Sequence, residues 1–132
     1  MVSQRRIRSS AAGNSLDTAT SIPAYRGEQT YRDRVSAKSP DFYKLRFLDE
    51  SDINALFRNR SSSTLLITAL DRDGNPASLG GTDAKLRVRA GKSVPIAIVE
   101  IPSGTYYLKV STRGGESAYR LNIAIERSCG CG

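Results

Sequence analysis

Chemistry in this sequence is confined to a few short stretches. Asp71 and Asp73 flank Arg72 and run into Gly74 and Asn75. Oxygen ligands alternating along a tight turn are how a calcium loop begins. The twelfth position counted from Asp71 is Thr82 rather than Glu, with Asp83 beside it, so an EF-hand pattern is not completed. Asp-Gly and Asn-Pro are also ordinary turn dipeptides, and a plain hairpin turn outweighs the metal reading. Calcium is the one cofactor these residues suggest.

Two thiols, Cys129 and Cys131, sit in a Ser-Cys-Gly-Cys-Gly tail. Joined to each other they would close a very small, strained ring. Links between chains are easier, and two chains together could offer four thiolates to zinc. The competing reading is a solvated tail carrying reducible thiols.

The chain has no histidine and no tryptophan. That removes the usual general base and the Ser-His and Cys-His nucleophile systems. Ser61, Ser62 and Ser63 therefore have nothing to activate them. Asp49, Glu50 and Asp52 could divide acid and base roles only if burial split their pKa values, and they fall at an expected strand end. No catalytic constellation emerges, and the expectation is a protein that is not an enzyme.

Charge is the next signal. Lys and Arg number 20 against 13 Asp and Glu, a net charge of +7. Such a balance suits a polyanion partner. Lys85, Arg87 and Arg89 alternate along one strand, Lys92 follows, and Lys44 and Arg46 extend the set. These residues are the candidate polyanion-binding patch, although a solvated outer face gives the same pattern and carries more weight. No aromatic lies between Ala84 and Ala90 to stack on bases, so nucleic acid is a poor fit. Tyr106 and Tyr107 are neighbours and point to opposite faces. Tyr107, with Tyr119, is the candidate aromatic ligand surface, set against ordinary cross-strand packing.

These residues need a scaffold, and the hydrophobic pattern says which. Alternation of period two runs through Tyr43–Phe47, Ile53–Phe57, Leu65–Ala69, Ala84–Ala90, Val94–Ile98, Tyr106–Val110 and Tyr119–Ile125. Period two places successive side chains on opposite faces of a strand. Turn residues separate the runs at Ser39-Pro40, Asp73-Gly74-Asn75-Pro76, Pro102-Ser103-Gly104 and Gly114-Gly115. About eight short strands of this kind predict an all-β, antiparallel, jelly-roll-like sandwich. The expected core is Phe47, Leu66 or Ile67, Leu86, Val88, Ile96, Ile98, Leu108, Val110, Leu121 and Ile123.

At 132 residues the chain is one domain's worth. Residues 1–20 form the expected extended N-terminal arm, basic through Arg5, Arg6 and Arg8, with Ile7 among them. Residues 21–127 form the sandwich and residues 128–132 the Cys/Gly tail. No apolar run is long enough for a transmembrane helix. The first twenty residues lack the apolar segment of a secretory signal.

Five segments in order resemble the bacterial pre-peptidase C-terminal domain family. They are Ala12–Ala19, Asp41–Phe47, Leu65–Gly74, Pro102–Val110 and Tyr119–Ile123. The strongest is Pro-Ser-Gly-Thr-Tyr-Tyr-Leu-Lys-Val, similar to that family's Ala-Gly-Thr-Tyr-Tyr-x-x-Val strand. The resemblance implies an eight- or nine-stranded sandwich without catalysis. It also implies a role at the cell exterior, where such modules assist secretion or bind matrix or carbohydrate, some with calcium.

The first expectation is thus a non-catalytic structural or adhesive protein, extracellular or on the cell surface, with a cytoplasmic location as the alternative. In its specific form the arm Arg5-Arg6-Ile7-Arg8 adds as a strand to a neighbour's open edge, giving a homopolymer. The alternative is a polyanion- or carbohydrate-binding module, calcium-dependent or not, with extracellular polysaccharide or matrix as partner.

Overall fold

The computed structural model describes residues 13, 15–79 and 83–128, and these form nine strands and no helix. The strands are β1 (Thr20–Ile22), β2 (Gln29–Val35), β3 (Asp41–Phe47), β4 (Ser51–Asn59), β5 (Leu65–Leu70), β6 (Lys85–Val88), β7 (Ser93–Ile101), β8 (Gly104–Thr112) and β9 (Ser117–Arg127). They make two sheets, a five-stranded one ordered β1-β3-β8-β5-β6 and a four-stranded one ordered β2-β9-β4-β7. All pairings are antiparallel except β1 on β3. This is the all-β sandwich that the alternation predicts.

Each strand buries one alternate set. In β9 the inward residues are Ser117, Tyr119, Leu121, Ile123 and Ile125, and in β4 they are Ser51, Ile53, Ala55, Phe57 and Asn59. They meet Tyr43, Leu45, Phe47, Leu65, Ile67 and Val110 from the other sheet in one continuous core. Burial of each large side chain contributes ~1.5–3 kcal/mol before chain entropy is subtracted.

The structure corrects several expectations. There are nine strands where the alternation picks out about eight, because β1 is only a few residues long and β2 conceals itself. The inward positions of β2 are Gln29, Tyr31, Asp33 and Val35, a set too polar to read as a hydrophobic stripe. Of Leu66 and Ile67, it is Ile67 that enters the core. Leu86 is 37% exposed and Ile96 only partly buried, since both lie on edge strands. The fold also reaches further toward the N-terminus than residue 21. Thr20 opens β1, and the backbone N–H of Phe42 donates to the carbonyl of Gly13 at 3.1 Å. Residues 1–12 of the expected arm lie outside the described residues.

Candidate functional site

Edges are where a sandwich can meet something else, because their backbone groups are unpaired on one side. The β1 and β2 edges share one side, and Ile22 and Tyr25 pack against the core there. On the opposite side β6 and β7 are both outermost. Leu86 of β6 pairs with Ile67, and Ile96 of β7 pairs with Ala55, so both point between the sheets. They line an apolar seam whose floor includes Ile67, Ala69, Ile98 and Leu108. The seam holds only ≈ 50 Å³ of free space, far too little for a small-molecule pocket. It is an opening in the core wall rather than a cavity.

The two edges differ. Strand β7 carries Pro95, which has no N–H to give, and a bulge near Glu100, whose φ is 57°. The N–H of Glu100 donates to Asp52 Oδ1 at 2.9 Å, which with the Ser128 hydroxyl holds the Asp52 carboxyl below its usual range, the hydroxyl being the larger influence. Strand β6 is short and regular. Its end is anchored by Asn59, whose Nδ2 donates to the carbonyls of Ser63, Val88 and Arg89 at 2.7, 2.9 and 3.1 Å.

The predicted basic patch is only partly a strand face. Lys85 and Arg87 share the outer face of β6, but the strand ends at Val88. Arg89 and Lys92 stand in the turn to β7, where the Lys92 N–H donates to the Arg89 carbonyl at 3.0 Å. Lys44 and Arg46 are on β3, separated from β6 by two strands. Sequence reasoning missed Lys109, which sits between: Phe42 is its partner on β3 and Thr68 its partner on β5. Arg87 and Arg113 border a hollow of ≈ 360 Å³ at one end of this face.

Tyr107 and Tyr119 do not form a ligand surface. Tyr107 is 8% and Tyr119 1% exposed. Tyr119 stacks on Phe57 at 5.2 Å and belongs to a polar cluster between the sheets. Its hydroxyl is 2.6 Å from that of Tyr43 and donates to Asp41 Oδ2 at 2.5 Å. Asp33 faces the same carboxyl. Burial above all pushes Asp41 up to about 8, the Tyr119 hydrogen bond opposes this, and the Asp33 charge adds to it. Burial likewise raises both tyrosine hydroxyls.

At Asp71 the carboxylate serves its own turn. Oδ1 accepts from the N–H groups of Asp73 and Asn75 at 2.9 and 3.0 Å. Gly74 has φ +87°, and a Cβ there would stand 2.6 Å from Leu16. Among the described residues no three acidic, Cys or His side chains converge on a metal position. Arg5, Arg6, Ile7, Arg8, Cys129 and Cys131 lie outside the described residues.

No family model matches the sequence, and no curated relative does. Solved structures do match. The periplasmic inhibitor of g-type lysozyme from Aeromonas hydrophila is similar over 80% of this chain and 94% of its own, with 13% identity and a TM-score of 0.54. A Bacillus endospore appendage protein, described as one of a family of disulfide-linked pili, is similar over 79% and 92%, with 10% identity and a TM-score of 0.51. The pre-peptidase C-terminal domain of a Bacillus anthracis collagenase is similar over 80% and 92%, with 14% identity and a TM-score of 0.49. The likeness is one of fold. That last structure belongs to the family whose motifs the sequence resembles.

Proposed function

We propose that the chain is a non-catalytic structural subunit of the cell exterior that joins copies of itself by strand addition. The observation that carries this is the open apolar seam at β6, where the inward-facing Leu86 remains 37% exposed. A strand added to the outer edge of β6 would satisfy its backbone and cover Leu86 and Ile96. Pro95 makes β7 the poorer acceptor. The donor is the N-terminal arm, with Ile7 entering the seam between Arg6 and Arg8.

Geometry supports an open polymer. The arm is rooted where Gly13 bonds Phe42, next to β3, while β6 is the opposite edge of the same sheet. Donor and acceptor on opposite edges make a head-to-tail contact, which extends rather than closes. Cys129 and Cys131 are the thiols that would lock neighbouring chains. The pilus protein among the similar folds fits this reading, as does the lysozyme inhibitor's periplasmic setting for an exported sandwich. Among the described residues no helix is long and apolar enough to cross a membrane.

The direct test is a labelled peptide of residues 1–12 added to protein that lacks them. Saturable binding that Leu86→Asp abolishes is the expected result. Failure of the peptide to bind, or binding indifferent to Leu86→Asp, would overturn the proposed joint.

A further inference from the structure

On the outer face of the five-stranded sheet, register gathers residues that the sequence keeps apart. Leu66 of β5 stands between Arg87 of β6 and Ser111 of β8. Their neighbours Leu65, Val88 and Val110 are buried, so these three side chains point outward. All three line the hollow of ≈ 360 Å³, with Leu66 central in its floor. Ser63 and Thr64, from the turn before β5, and Arg113, from the turn after β8, line it as well. Arg87, Arg113 and Thr64 are exposed and Ser63 and Ser111 partly so, and a ligand arriving from solvent can reach each of them.

The frame of this hollow is held by the protein itself. The Ser63 carbonyl accepts from Asn59 Nδ2 at 2.7 Å. The Thr112 hydroxyl donates to the Thr64 carbonyl and accepts from the Gly114 N–H, both at 3.1 Å, and so ties the two turns together. A Cβ at Gly114 would stand 2.5 Å from Ser63 Oγ, so a glycine is what lets the turns approach this closely. The groups mounted on the frame are unspent. Among the described residues the ion pairs are Arg34–Glu116 and Arg127–Asp49, and neither involves Arg87 or Arg113. Among the same residues the hydroxyls of Ser63, Thr64 and Ser111 make no hydrogen bond, and no carboxylate lines the hollow.

We propose that Arg87, Arg113, Ser63 and Ser111 bind the sulfate or phosphate monoester group of a charged glycan. The two guanidinium groups supply the charge and can each offer paired N–H groups. The accessible donors come from three sides, β6, β8 and the Ser63–Thr64 turn, and such an ester has three terminal oxygens to meet them. A carboxylate has two, in one plane. Leu66 gives apolar contact to the sugar ring that carries the ester, and the hollow is of a size to take both. The groove continues beyond this group. Leu66 and Ser111 also line a second hollow of ≈ 280 Å³, bordered by Lys85 and Lys109. Both lysines are opposite Thr68, two residues along β5 from Leu66 and hence about 7 Å away. A further ester on the same glycan meets these ammonium groups. Among the described residues Phe42 is the one aromatic lining either hollow, and Lys109 Nζ covers its ring at 5.6 Å, which leaves no open face for a nucleic-acid base. The site uses a sheet face where strand addition uses a sheet edge, and it does not depend on the assembly reading.

The test is calorimetric titration of the full chain, at physiological salt, with dextran sulfate, dextran phosphate and carboxymethyl dextran of matched length and charge density, and with oligothymidylate. At least one of the two esters is expected to bind at least tenfold more tightly than the carboxymethyl polymer or the oligothymidylate, and the tighter ester names the source of the group. Arg87→Gln and Arg113→Gln should each weaken that ester about tenfold or more. Ser63→Ala with Ser111→Ala keeps every charge and should still weaken it about threefold or more, which a diffuse field of positive charge would not produce. Arg32→Gln with Arg58→Gln, on the outer face of the other sheet, should change it by no more than about twofold. The proposal is overturned if neither ester binds, if the carboxymethyl polymer or the oligothymidylate binds as tightly, or if the arginine or serine variants of the hollow bind as well as the parent. It is overturned equally if the Arg32 and Arg58 pair causes the same loss.

Discussion

The Tyr119 hydroxyl donates to Asp41 Oδ2 at 2.5 Å across 78 residues of sequence, joining β9 of one sheet to β3 of the other. A carboxyl that is 1% exposed and faces Asp33 holds its proton far above the usual range, up to about 8. Without that proton the pair would bury two negative charges side by side.

Stability should therefore fall as pH rises from about 4 to about 8. Asp41 ionises near its ordinary 3.8 when unfolded and near 8 when folded. Its contribution is whole below about pH 4 and is lost as pH rises through the folded value. Denaturant melts between pH 4 and pH 8 should show this loss, with a slope of roughly 1 kcal/mol per pH unit. Asp41→Asn should flatten it. A melt independent of pH over this range would contradict the assignment.

Tyr119→Phe keeps the ring on Phe57 but removes the donor to Asp41. It should cost ~1–3 kcal/mol, the penalty of an unsatisfied buried group. Because that hydrogen bond lowers the Asp41 pKa, its removal should raise the folded value and extend the loss to higher pH. Parallel urea melts at pH 6 and pH 9 measure both effects.

Asn59 is 1% exposed, and its amide binds three carbonyls while its Oδ1 accepts from the N–H and hydroxyl of Ser61. Asn59→Leu leaves these groups buried without partners. The expected cost is ~2–5 kcal/mol. Hydrogen exchange should show the loosening first at β6 and the Ser61–Ser63 turn.

Leu65 and Leu86 test whether the seam is open in the single chain. Leu65 is 0% exposed and Leu86 37%. Leu65→Ala should cost ~2–5 kcal/mol, and Leu86→Ala about 1 kcal/mol or less in the monomer. Equal losses would mean that the seam is closed.

The sequence was legible where strands bury one alternate set, as in β4 and β9. It was opaque in β2, where Asp33 and Gln29 occupy inward positions because a polar cluster, not a hydrophobic stripe, fills that end. Alternation assigned Leu86 correctly to the inward face, yet it carries no information on whether a strand is central or at an edge. That is why the seam was invisible. Tyr119 was misplaced for the opposite reason: an aromatic with a hydroxyl looks like a surface residue until a buried carboxyl is found to accept its hydrogen bond. Leu66, Arg87 and Ser111 are far apart in the chain, and only register unites them.

Strand addition is tested most directly by the size of the purified protein, followed by light scattering and electron microscopy as salt rises. Arg6 and Arg8 would lie along the same outer face as Lys85 and Arg87, so like charges oppose the joint and added salt should favour it. The account predicts filaments that persist or lengthen at high salt and vanish when residues 1–12 are deleted. A monomer at every salt concentration, or filaments that survive that deletion, would contradict it.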